Sequence, residues 1–143
     1  MSDALSLPDV AAVRRLEAEA LQLPQVPCLT KHYLAGGIYA REMFVPAGTT
    51  LTGAQHKREH MAVFVGDISV YQDGEVKRLT GHQTLITKPG TKRAMVAHAD
   101  SYVTGFFITS KTDIQEIERE LVEEDPSMLQ SNRMPVSEVI ECS

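Results

Sequence analysis

A chain of 143 residues has the length of one domain, and 43% apolar residues without a Trp suit an ordinary globular protein, not a fibrous or disordered one. The formal charge of −5 argues against wholesale nucleic-acid binding. No apolar run approaches a membrane span, and Met1-Ser2-Asp3-Ala4 lacks the basic start of a signal peptide. Cys28 and Cys142 are far apart and lack metal-type spacing, so no disulfide framework is expected and the chain suits a reducing cytoplasm or a virus particle assembled there.

Residues 8–21 read as a short amphipathic helix, with Pro8 in its first turn, Ser6 as a cap and a thin stripe of Val10, Val13 and Leu21. Pro24 and Pro27 then enforce an extended linker, in which His32 suggests nothing. From Gly36 onward, β-type runs at 37–45, 49–52, 55–65, 67–72, 75–79, 83–87, 92–98 and 101–109 alternate with turn signals. Asp73-Gly74 is the strongest of these signals, because the pair accepts the positive φ angles of a two-residue hairpin. Eight short strands in this space predict an all-β fold, a jelly roll. Residues 113–124 predict a second helix, with Thr112 and Gln115 as a capping box and Ile114, Ile117 and Leu121 along one face; Pro126 ends it. The tail 127–143 has no clear period. Met128, Leu129, Met134, Val136, Val139 and Ile140 give it something to bury. The expected organisation is a helix and linker at 1–35, a barrel at 36–110, and an acidic helix with tail at 111–143.

Charge is distributed unevenly. Residues 113–125 hold seven acidic residues against Arg119 alone, whereas residues 56–93 hold seven basic against four acidic. A basic middle followed by an acidic helix points to an anionic ligand near the middle, or simply to a solvated surface. Within the middle, His56, Arg58 and His60 alternate with Lys57 and Glu59, so on a strand the first three share one face, continued by Ala62 and Phe64. Two imidazoles and a guanidinium at the end of an apolar face are what a cavity wall requires. Glu59 would join them only through a bulge. Lys88, Lys92 and Arg93 flank Pro89-Gly90, where a positive φ at Gly90 would aim backbone N–H groups at the same anion. The alternative for this run is a surface turn that pairs with the acidic helix. His82 reads as a surface residue and His98 as structural. No nucleophile elbow or phosphate-binding loop is present.

The runs Pro46-Ala47-Gly48, His56 to Gly66, and Lys88-Pro89-Gly90-Thr91-Lys92-Arg93 resemble the two boxes of the cupin superfamily. More specifically, the segment from Tyr39 to Glu120 is similar to small cupin-like proteins of tailed bacteriophages, through these runs, Ala97-His98-Ala99-Asp100 and the Thr112-Asp113 helix start. The resemblance implies a single cupin-type jelly-roll barrel with an N-terminal helix and a C-terminal helix plus tail. Metal-holding cupins supply two His and a carboxylate from the first box and a third His from the second. Arg58 and Arg93 stand where two of those His would be. Neither can lose its proton to become a ligand, so any metal would rest on His56 and His60 alone, short of the three protein ligands a catalytic site normally has. No cofactor is therefore expected, and a divalent metal is disfavoured.

The expected function is non-enzymatic: a phage cupin-like protein that binds a small anionic molecule, or a partner's acidic group, through His56, Arg58, His60, Lys88, Lys92 and Arg93. One alternative is a structural or accessory virion component assembled through its terminal arms, with other phage proteins as partners. Another is a metal-dependent cupin enzyme. The expected location is the host cytoplasm or the virion, without a membrane or a nucleic-acid groove, and a homo-oligomer is the expected state.

Overall fold

The structure, a computed structural model, describes residues 10–129, 132 and 137–141. Helix α1 spans Val10–Ala20. Strands β1 (Thr30–Ala35), β2 (Ile38–Val45), β3 (Thr50–Thr52), β4 (His60–Gln72), β5 (Glu75–Thr87), β6 (Ala94–Ala97) and β7 (Ser101–Ile108) follow, then helix α2 (Ile114–Leu121), a 3-10 turn at Pro126–Met128 and β8 (Ser137–Glu141). The strands form one curled sheet in the order β3-β6-β4-β7-β2-β1-β8, with β5 paired to β4 alone. No helix among the described residues is long and apolar enough to cross a membrane.

β4 and β5 make a hairpin paired from His60↔Thr87 to Gln72↔Glu75, so the four short runs expected at 55–65, 67–72, 75–79 and 83–87 are two long strands. Its turn is Asp73-Gly74, with φ of 54° and 78°, the double positive φ expected of that pair. β4 bends near Gly66 as it changes partner, pairing with β7 through Met61–Val65 and with β6 through Ile68–Tyr71.

Two segments depart from expectation. Residues 30–35, read as linker, are strand β1, and the aperiodic tail supplies β8, which pairs parallel to β1. Each completes the other across more than a hundred residues of sequence, a pairing that no local pattern records. Helix α2 is capped by Asp113, whose Oδ2 accepts from the Glu116 N–H at 3.0 Å. The cap therefore lies one residue beyond Thr112, where a carboxylate also suits the positive end of the helix. Ser6, Pro8, Met134, Val136 and Cys142 lie outside the described residues.

The interior has two apolar clusters. One joins Cys28, Met43, Val45, Leu51, Ala62, Phe64, Ile68, Val70, Met95 and Ala97. The other, where α2 closes the end of the barrel, joins Tyr39, Phe107, Ile117, Leu121, Val122 and Leu129. Val13 of α1 is also fully buried.

Candidate functional site

The inward residues of β2 are Tyr39, Arg41, Met43 and Val45, by simple alternation. In register, Arg41 lies opposite His32 of β1 on one side and Gly105 of β7 on the other, and Gly105 lies opposite Ala62 of β4. Two small residues in succession leave room over this row of the wall, part of which the Phe107 ring takes above Gly105. A cavity of about 110 Å³ occupies the space and takes wall residues from both apolar clusters. Its polar lining comprises His56, His60, Arg41, Arg93, Lys92 and Glu118 among others.

His56 and His60 meet at a tilt, with ring centroids 4.4 Å apart, and His60 stacks on the Phe107 ring at 4.3 Å. Gly105 permits this: a Cβ there would stand 2.9 Å from the Phe107 ring edge. His60 Nδ1 donates to the Arg58 carbonyl at 3.2 Å, leaving Nε2 as its acceptor when neutral. His56 Nδ1 is buried without a hydrogen-bond partner. Burial lowers both imidazoles, helped by the neighbouring Arg93 charge; His56 falls to about 3. At neutral pH both rings are uncharged.

Arg93 is 7% exposed. Its Nε donates to Gln72 Oε1 at 2.6 Å and its Nη1 to Thr87 Oγ1 at 2.9 Å, while its guanidinium carbon stands 5.9 Å from the centre of the Phe64 ring. Desolvation lowers its pKa, but a guanidinium keeps its proton. Glu118 is 4% exposed; Oε1 accepts from Asn132 Nδ2 at 3.1 Å, and Oε2 has no partner. Burial pushes this carboxyl upward, against the hydrogen bond from Asn132 and the nearby Arg41 charge.

Lys92 is fully buried and already neutralised. Its Nζ donates to Glu124 Oε2 at 2.6 Å, to Glu17 Oε2 at 3.0 Å and to the Gly53 carbonyl at 2.9 Å. The same Glu17 oxygen accepts from Thr52, and Glu124 accepts from the Gln55 N–H. This lysine thus ties α1 and the segment after α2 to the barrel.

Of the six expected site residues, His56, His60, Lys92 and Arg93 line the cavity, and Arg58 and Lys88 do not. Arg58 is corrected: its side chain is 55% exposed and pairs with Glu120 at 3.2 Å. The cause is that β4 begins only at His60. Residues 56–59 are irregular, anchored by the His56↔Val122 bridge, so strand alternation does not apply and Arg58 swings out to the acidic helix. Lys57 does likewise, donating to the Arg119 carbonyl at 3.0 Å. Lys88 is exposed. The basic run is therefore split: Arg58 and Lys57 serve the helix, and Lys92 pairs inward with Glu124.

His32 is also corrected. It is 3% exposed, and its Nδ1 is hydrogen-bonded to the Tyr39 hydroxyl at 2.6 Å; burial lowers it to about 4. Arg41, Tyr39 and Glu118 were not singled out by sequence. The available signals were a charge in phase with Tyr39, Met43 and Val45, and a carboxylate four residues after Ile114 on the apolar side of a helix. His82 is exposed as expected; His98, expected to be structural, is exposed too, with its Nε2 hydrogen-bonded to Ser69 Oγ at 2.6 Å. Among the described residues, no group of three or more His, Cys, Asp or Glu is placed to hold a metal ion. Two imidazoles beside the Arg93 charge are a poor fit to a divalent cation.

The architecture is that of an all-β cupin-type barrel with terminal helices. Solved structures like it include a cupin-superfamily protein from Desulfitobacterium hafniense, 8% identical, with 65% of this chain and 87% of that one covered at a TM-score of 0.51. A Cupin_2 domain of an XRE-family transcriptional regulator from Enterobacter cloacae is 13% identical, with 57% and 96% covered at 0.46. A cupin domain from Bordetella pertussis is 10% identical, with 62% and 99% covered at 0.45. At such identities the likeness concerns the fold alone. No protein-family profile matches the chain, and no curated protein matches it in sequence.

Proposed function

We propose that this chain is a non-catalytic binding barrel that takes a small anion into its interior, held by Arg41 and Arg93. The observation that carries this reading is the placement of both guanidiniums on the wall of one enclosed cavity. Lys92 adds little, since Glu17 and Glu124 already neutralise it. With His56 and His60 uncharged, the positive charge that the wall offers an anion comes from Arg41 and Arg93. Arginine suits a carboxylate in such a place, because its planar fork donates two parallel hydrogen bonds. The volume sets the size: a cavity of roughly 150 Å³ holds the six heavy atoms of benzene, so about 110 Å³ suits a molecule of about four or five. That favours a metabolite-sized acid over a partner's protruding side chain. No metal enters this reading.

The setting we propose is an infected bacterial cell, on the sequence resemblance of Tyr39 to Glu120 to proteins of tailed phages. An assembly role through the termini has less support, because the chain engages both ends itself: Glu17 of α1 on Lys92, and β8 on β1. A thermal-shift series with acetate, propionate and phosphate tests the reading. A ligand at about 100 times its Kd adds about 2.7 kcal/mol, raising Tm by roughly 8–10 °C for this size of domain. Arg93→Gln should abolish the ligand-induced shift whatever its own Tm. No shift with any anion would end the proposal.

A further inference from the structure

Two buried polar atoms on the cavity wall lack a hydrogen-bond partner, Glu118 Oε2 and His56 Nδ1. A buried polar atom without a partner is costly, so each needs an explanation. Neither belongs to a charge latch like that of Lys92, and Glu118 is itself 4% exposed. Both line the same cavity as Arg41 and Arg93. A bare carboxylate would occupy the guanidiniums and leave these two atoms as they are.

We infer that the ligand is a short 2-hydroxy acid, its carboxylate on Arg41 and Arg93 and its hydroxyl on Glu118 Oε2 and His56 Nδ1. The inference rests on the anion reading above and names the ligand class of that same site. Three features favour it. Arg41, Arg93, Glu118 and His56 all line one cavity of about 110 Å³, so a single small molecule bears both the anionic and the hydroxyl end. A hydroxyl both donates and accepts; it satisfies both atoms at once when it donates to an ionised Glu118 Oε2 and accepts from a protonated His56 Nδ1, or the reverse. An ammonium only donates, and it would bring a further positive charge beside Arg41, Arg93 and Lys92. The apolar remainder of the wall, Met43, Leu51, Ala62, Phe64 and Met95, accepts at most a short alkyl group beyond. Glycolate, with five heavy atoms, is the fitting size, and lactate, with six, marks its upper edge.

Isothermal titration calorimetry of the full chain with acetate against glycolate, and propionate against lactate, is the test. Each hydroxy acid should bind about tenfold tighter than its deoxy analogue, the worth of one hydrogen bond to a charged or desolvated group. In Glu118→Leu that preference should collapse to about onefold. Equal affinities within both wild-type pairs would overturn the hydroxyl assignment and leave the anion reading standing, even if Glu118→Leu fails to fold. Alanine binding more tightly than lactate would overturn it in favour of an amino acid. If no carboxylate binds, the anion reading itself has failed, and this inference with it.

Discussion

Acid should destabilise this protein well above the pH at which ordinary carboxylates titrate. In the folded chain burial holds His32 at about 4 and His56 at about 3, and it lowers His60 as well. Once unfolded, each returns to about 6.5. Between pH 6.5 and those folded values the unfolded chain binds protons that the folded chain refuses. The free energy of unfolding therefore rises with pH in this window. The stability is fully present above 6.5 and is lost as pH falls toward 4. Going from pH 7 to pH 5, each strongly lowered histidine costs roughly 2 kcal/mol. His32 and His56 together cost about 4 kcal/mol, or roughly 12–15 °C in Tm. Glu118 works in the opposite direction, because its raised carboxyl takes up a proton before its unfolded counterpart does; one proton offsets only part of three. Hydrogen bonds and nearby cations lower the carboxyls of Asp67, Glu120 and Asp125, so they hold their charge further into acid than ordinary carboxylates do. Urea unfolding at pH 7 and pH 5 reads the difference. His56→Phe, which keeps an aromatic ring against Phe107, should recover roughly 2 kcal/mol of the loss. A stability flat between pH 7 and 5, or a loss unchanged in a His32, His56 double variant, would refute the reasoning.

Lys92→Met should lower stability by about 3 kcal/mol, since it leaves Glu17 and Glu124 facing each other half-buried without their cation; chemical denaturation checks it. Arg58→Ala should change stability by less than about 1 kcal/mol, as expected of an exposed ion pair, and it should leave anion-induced thermal shifts intact. Tyr39→Phe removes the 2.6 Å partner of a buried imidazole. It should cost about 1–3 kcal/mol in the same denaturation assay.

The barrel was legible wherever pattern is local. Alternation located β2, β6 and β7 within a residue or two, and Asp73-Gly74 located the long hairpin. Long-range pairing was not legible: β1 and β8 are strands because each lies beside the other, and the prolines at 24 and 27 masked the first. The site was half legible for a related reason. Strand phase was extended two turns of the pleat too far, to His56, so Arg58 was placed inward when the chain there is already irregular and held by Val122. The guanidinium that does face the hollow is Arg41, in phase with Tyr39 and Met43 on a strand whose bounds were correct. A charge on an apolar face was the available signal, and the two histidines further along drew attention from it. Glu118 was read as one more acid on an acidic helix, although it completes the stripe of Ile114, Ile117 and Leu121.

The proposal that two guanidiniums hold an acid inside the barrel is tested most directly by crystals grown with a saturating small carboxylate such as propionate or lactate. The expected result is carboxylate density in the cavity within hydrogen-bonding distance of both Arg41 and Arg93. A cavity holding only water, with both guanidiniums engaged by protein groups alone, would contradict it.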